Sequence, residues 1–230
     1  MENLIASLAI LGLTLFTPAQ AMTSGDFLAG ASQIVQQEKV LAQKTMDLSI
    51  RYPDPWVNEI FSDNILLNLH YLKGDVALLK DEKGKIDWEK VRAPFEFSFV
   101  LESGWTFAYH QNLTPEFKDK NVLAGQTRFW FDEGYKSDGY LVGDGVCHLA
   151  SLFNWVSQEA GLEVVANVRH DFLPVPDIPR EYGTSILYSP DGARGSANQN
   201  LYITNNFPQP VEFAISADEK TVKIQVVAEN

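Results

Sequence analysis

The chain has a single cysteine, Cys147, and four histidines in 230 residues. One cysteine excludes an intrachain disulfide. With no His-Glu-x-x-His word or close ligand cluster, a metal site is not expected either, and nothing calls for a cofactor. Positive charge is also scarce: 18 Lys and Arg against 30 Asp and Glu leave a net charge of −12. That balance argues against nucleic acid and anionic membrane surfaces as partners, because both require clustered Lys and Arg. The one marked apolar run, residues 4–16, is shorter than the roughly 20 residues a membrane span needs. The 15 glycines and 11 prolines follow no short period, which excludes collagen-like or low-complexity material. An apolar content of 45% is enough for one substantial core.

The amino terminus reads as an export signal. The apolar run is followed by Thr17-Pro18-Ala19-Gln20-Ala21, a helix-breaking proline and an Ala-x-Ala cleavage word. Residues 1–21 are therefore expected to be a signal peptide and the chain to be exported to the cell envelope, with no stable membrane span after cleavage. Residues 22–59 are expected to be a helical amino-terminal segment, with Phe27, Ile34, Val35, Leu41 and Leu48 near a 3.6 period. Two prolines stop it at Arg51-Tyr52-Pro53-Asp54-Pro55. A second helix is expected from Trp56 to Leu72, closed by Gly74.

Beyond Phe95 the pattern changes to strands. Phe95, Phe97 and Phe99 alternate with polar residues, and residues 106–109, 127–131, 162–168, 184–188, 200–204, 211–215 and 221–227 are further candidates. Between them Leu149, Leu152, Phe153, Val156 and Ala160 share one face of a helix that ends at Gly161. The expected class is α+β.

The chemistry concentrates at the start of that helix. Cys147 follows Gly143-Asp144-Gly145, so it opens a helix after a tight turn. The unpaired N–H groups and positive dipole end there favour a thiolate and can hold an oxyanion. His170, after the next strand, is the expected base. Glu181 is the expected orienting group, with Asp171 and Asn200 as competitors. Gly145, His148, Trp105 and Tyr140 are candidates for contact with substrate. Competing readings place His148 on the helix surface and Asp144 as a simple helix cap. His70 and His110 read as satisfied or exposed histidines, and Asp132-Glu133 as a solvated loop. The order of cysteine helix, histidine and polar residue resembles the papain-like and transglutaminase-like core.

The local words Gly143-Asp144-Gly145-Val146-Cys147-His148, Ala150-Ser151, Asn154 and Ala160-Gly161-Leu162-Glu163-Val164 resemble the signature of the VanW-like family. The likeness extends through Ser103-Gly104-Trp105-Thr106-Phe107-Ala108-Tyr109-His110, Glu133-Gly134-Tyr135, His170 with Pro174-Val175, Arg180-Glu181 and Asn205-Asn206. It covers roughly residues 60–230. The family is named for an accessory protein of a glycopeptide-resistance cluster, and some of its members act as cysteine L,D-transpeptidases. The resemblance therefore implies an acyl-enzyme on Cys147 with His170 as base, and the peptidoglycan peptide stem as substrate. Asp144 stands where the family has glycine, His148 where it has glutamine, and Glu181 where it has aspartate. A non-catalytic peptidoglycan-binding or resistance accessory module, and a transglutaminase-like peptidase, are the rival readings.

Overall fold

Nine residues, Lys39–Asp47, form strand β1 at the start of the computed structural model. The structure describes residues 39–192 and 195–228. The expected signal peptide and the first part of the expected helical segment, residues 22–38, lie outside the described residues. From Lys39 onward the helical expectation is corrected. Ala42, Lys44 and Met46 alternate inward and β1 pairs antiparallel with the last strand, β8 (Thr221–Ala228). A pattern that also fits a helical period is drawn into the sheet by an open edge, because strand preference is set largely by neighbours.

Four antiparallel strands make this sheet in the order β1, β8, β7 (Val211–Ala217) and β2 (Phe95–Leu101). Strand β7 shows the alternation most clearly, with Val211, Phe213, Ile215 and Ala217 buried and the residues between them half-exposed. A second sheet has the order β4 (Val122–Ala124), β3 (Thr106–Ala108), β6 (Tyr202–Thr204) and β5 (Glu163–Val165). In it only β3 and β4 run parallel.

Helix α1 (Pro55–Lys73) forms as expected. Asp54 accepts hydrogen bonds from the N–H groups of Trp56 and Val57, Pro55 occupies the first turn, and Gly74 ends the helix at φ +82°. Two short helices follow: α2 (Trp88–Arg92) and α3 (Pro115–Lys118). Helix α4 (Val146–Glu159) buries Leu149, Leu152, Phe153 and Val156 and packs against α1, β1, β5 and β8. The α+β expectation holds.

Two expected strands do not form as ladders. In residues 127–131 the Glu133 carboxylate accepts from the N–H of Arg128 (2.7 Å) and of Trp130 (3.4 Å), and Phe129 takes a left-handed φ of +60°. The acidic pair 132–133 is therefore not merely solvated, since Glu133 organises this turn. Residues 184–188 are extended, but of them only Thr184 makes a β-bridge, to Arg169.

Candidate functional site

The start of α4 is held from three sides. Asn64 of α1 donates to the carbonyls of Lys136 (3.1 Å) and Asp144 (2.9 Å) and accepts from the Lys136 N–H (2.8 Å), fixing the loop that leads into the helix. Gly145 caps the helix at φ +94°, and a Cβ there would lie 2.5 Å from the Phe61 carbonyl oxygen. Glycine is required at this position for close approach of two backbones. Gly145, a candidate for substrate contact, is therefore buried against α1. The Tyr109 hydroxyl reaches the Val146 carbonyl at 3.4 Å.

Cys147 is the second residue of α4 and is half-buried. Its sulfur accepts from the Ile186 N–H at 3.3 Å and faces the Ile186 carbonyl at 3.7 Å. One turn on, the Ser151 hydroxyl accepts from the Thr184 N–H (2.9 Å) while donating to the Cys147 carbonyl (2.7 Å). A further turn on, Asn154 donates to the Tyr182 carbonyl and the Thr184 hydroxyl, both at 3.0 Å. Cysteine, serine and asparagine at i, i+4 and i+7 thus form one polar stripe that fastens residues 182–186 to the helix. The intervening N–H groups turn the other way, Ser185 to Val168 (2.9 Å) and Leu187 to Gln199 (3.0 Å). This explains why the segment is extended without belonging to a sheet. The spacing of polar residues on an otherwise buried helical face carried the signal, and the reading that centred on the thiol alone missed it.

Burial pushes the Cys147 thiol up to about 11, against the pull of the Ile186 N–H and with the Asp144 carboxylate adding to the rise. Asp144 is itself pushed up to about 6 by burial, with Asp138 nearby, and its carboxylate accepts from the Asp138 N–H at 3.0 Å. A helix start that should favour the anion is thus outweighed by desolvation.

His170 is held beside the fastened segment, its N–H donating to the Gly183 carbonyl at 3.2 Å. Its Nδ1 is 3.0 Å from the Leu173 carbonyl, which makes Nδ1 the protonated nitrogen of the neutral ring. The ring contacts Phe172 (centroids 4.2 Å) and His148 (5.8 Å). Among the described residues no hydrogen bond joins His170 to the Cys147 sulfur. Glu181 is exposed, in a tight turn, and makes no hydrogen bond to His170; the group that orients the imidazole is the Leu173 carbonyl. Of the other two candidates for that role, Asp171 offers its backbone carbonyl to Arg180, and Asn200 is buried between His110 and Asn112.

The surface reading of His148 is corrected: only 5% of it is exposed, and its ring packs on Phe61 at 5.1 Å. The hydrophobic stripe and the Phe61 backbone leave the first turn of α4 no solvent-facing side at this position. Burial drives His148 down to about 3, and the charges of Arg51 and His170 act in the same direction. Its Nδ1 has no hydrogen-bond partner. Burial also lowers His170, with the Leu173 carbonyl opposing. Beneath them the fully buried Arg51 is satisfied by the carbonyls of Asp47 and Pro176 and by Asp177 (2.6 Å).

Among the described residues, Trp105 and Tyr140 make none of these side-chain contacts. Trp105 is tied to Glu102 and Asn205 through its backbone, and Tyr140, 91% exposed, caps a turn whose Asp138 carboxylate accepts its N–H. His70 and His110 are both hydrogen-bonded, the former to Asp75 and the latter to the Gln199 carbonyl. No group of three or more His, Cys, Asp or Glu able to hold a metal occurs among the described residues.

With this geometry in view, the comparison with protein families is decisive: the model of the VanW like protein family matches residues 98–227. The chain belongs to the VanW-like family. The match spans more than half the chain and includes the whole stripe on α4, His170 and the segment the stripe fastens. VanW-like proteins are associated with the cell envelope and glycopeptide resistance. No curated protein and no solved structure matches the chain. Among the described residues no helix is long and apolar enough to cross a membrane.

Proposed function

We propose that this VanW-like chain is a non-catalytic module of the cell envelope that holds a peptidoglycan fragment. One observation carries the reading: the Cys147 thiol is engaged by both backbone groups of Ile186, so it serves as the first rung of the stripe that fixes residues 182–186. A nucleophile needs a thiolate and a base within hydrogen-bond reach. Burial holds this thiol up at about 11, and among the described residues neither His148 nor His170 makes a hydrogen bond to the sulfur, their rings facing each other, Phe61 and Phe172. Export through residues 1–21 belongs to the same proposal.

The second reading, a cysteine acyl-transferase or peptidase acting on the peptide stem, is favoured by the place of Cys147 in the first turn of α4. It requires the sulfur to leave Ile186 and meet His170, with Glu181 or another group moving in behind the imidazole. The deciding experiment incubates the full chain with purified sacculi and muropeptides, then measures sedimentation and intact mass. The proposal predicts co-sedimentation that survives Cys147→Ser and no mass adduct. An acyl adduct on Cys147, or cross-linked product that Cys147→Ser abolishes, overturns it in favour of the enzyme.

A further inference from the structure

The family signature leaves one surface unused. An open groove of about 690 Å³ lies between residues drawn from 128–132 on one wall and 187–190 on the other, a volume suited to a small ligand. Trp130 and Phe131 stand on its first wall, 56% and 58% exposed, with ring centroids 5.7 Å apart and planes tilted by 64°. Two consecutive large aromatic residues turned to solvent are unusual unless they meet something.

Their exposure is built in. Phe129 holds a left-handed φ of +60°, a conformation that a bulky residue adopts only under strain. That turn sends Phe129 inward against Tyr109 and Tyr135 and leaves the next two rings outside. Glu133 then locks the turn through the N–H groups of Arg128 and Trp130. The opposite wall is anchored as firmly, since Leu187 is bonded to Gln199 and follows directly on the residue held by Cys147.

Charge selects among ligands. The groove's cation, Arg128, is bonded to Asp132 at 2.6 Å and to Glu133 at 3.4 Å. One guanidinium against two carboxylates leaves the trio with polar edges and excess negative charge, which repels a carboxylate. A ligand with an apolar face and neutral hydroxyls suits this lining better than a peptide that carries carboxylates. We infer that the groove is a saccharide subsite: an uncharged sugar ring of the wall polymer stacks on Trp130 and Phe131 and places its hydroxyls on the Arg128–Asp132 pair. This rests on reading the chain as a wall-binding module and names the part of the polymer that is held.

The test titrates the full chain with a soluble tetramer of β-1,4-linked N-acetylglucosamine, and separately with a free stem peptide, by calorimetry and tryptophan fluorescence. The tetrasaccharide is expected to bind and the peptide not. Trp130→Ala or Phe131→Ala should weaken binding at least tenfold with an unchanged circular dichroism spectrum, and Trp130→Phe should retain most of it. Absence of saccharide binding, preference for the peptide, or affinity undiminished in both alanine variants overturns the subsite. Protein that pellets with sacculi yet ignores the tetrasaccharide sinks the subsite alone; protein that does neither sinks the wall-binding reading as well.

Discussion

The sulfur of Cys147 accepts a hydrogen bond from the backbone N–H of Ile186 at 3.3 Å, across 39 residues of chain. That contact makes the cysteine part of a fastening rather than a free reagent. It is repeated by Ser151 and Asn154 at helical spacing, so that an extended segment with only one β-bridge, Thr184 to Arg169, is held along α4. The same fastening sets one wall of the groove beyond residue 186.

Removing the sulfur leaves the Ile186 N–H without a partner in a half-buried place. Cys147→Ala is expected to cost about 1–3 kcal/mol, the range for an unsatisfied donor. Cys147→Ser, which retains an acceptor, should recover part of that loss. Urea unfolding midpoints of the two variants check the order, and equal stability for alanine and wild type contradicts it.

The stripe should also act as a unit. Thr184 touches both Ser151 and Asn154, so Ser151→Ala and Asn154→Ala are expected to be non-additive, with a coupling of about 0.5–3 kcal/mol. A double-mutant cycle measures it. Simple additivity would mean that the two side chains do not hold the segment together.

Gly145 allows no side chain. Gly145→Ala places a Cβ against the Phe61 carbonyl and forces alanine to φ +94°, so a loss above about 2 kcal/mol or failure to fold is expected. Gly139, at φ +102° with open space around it, provides the control: Gly139→Ala meets only the backbone penalty and should lose less. Thermal unfolding of the two proteins compares them.

Acid should destabilise the fold through the two imidazoles. Both are held below the ordinary histidine value of 6.5, His148 at about 3. Below pH 6.5 the unfolded chain therefore takes up protons that the folded chain refuses. Stability from these groups is complete above that pH and is lost as pH falls toward 3. Asp144 works in the opposite sense, since its carboxyl is raised to about 6 and the folded form gains protons first between about 6 and 3.8. His148→Gln, neutral throughout, should flatten the loss of urea resistance between pH 7 and pH 4.5. An unchanged slope removes His148 from the account.

Much of the fold was legible because its cues are local. Pro55 and Gly74 bracket α1, Gly161 closes the turn after α4, and the alternation in β2, β7 and β8 marks their inner faces. Strand β1 was misread as helix because Leu41 and Leu48 satisfy a helical period, whereas the deciding partner, β8, lies about 180 residues away. Residues 127–131 look like a strand until Glu133 claims their N–H groups. At the site, the motif around Cys147 and the helix it opens were readable. Its use was not, because burial of the sulfur depends on where residues 182–186 return. The pairing of His148 with His170 is likewise a tertiary event, with His148 carried inward by the first turn of α4.

The rate of Cys147 carbamidomethylation by iodoacetamide as a function of pH tests the central claim most directly. The folded chain should react slowly through pH 7–9, its rate rising only toward the thiol's value of about 11, and denaturant should restore ordinary reactivity. Rapid alkylation at pH 7 with a half-maximum below pH 8, slowed by His170→Ala, would contradict the account and establish an activated thiolate.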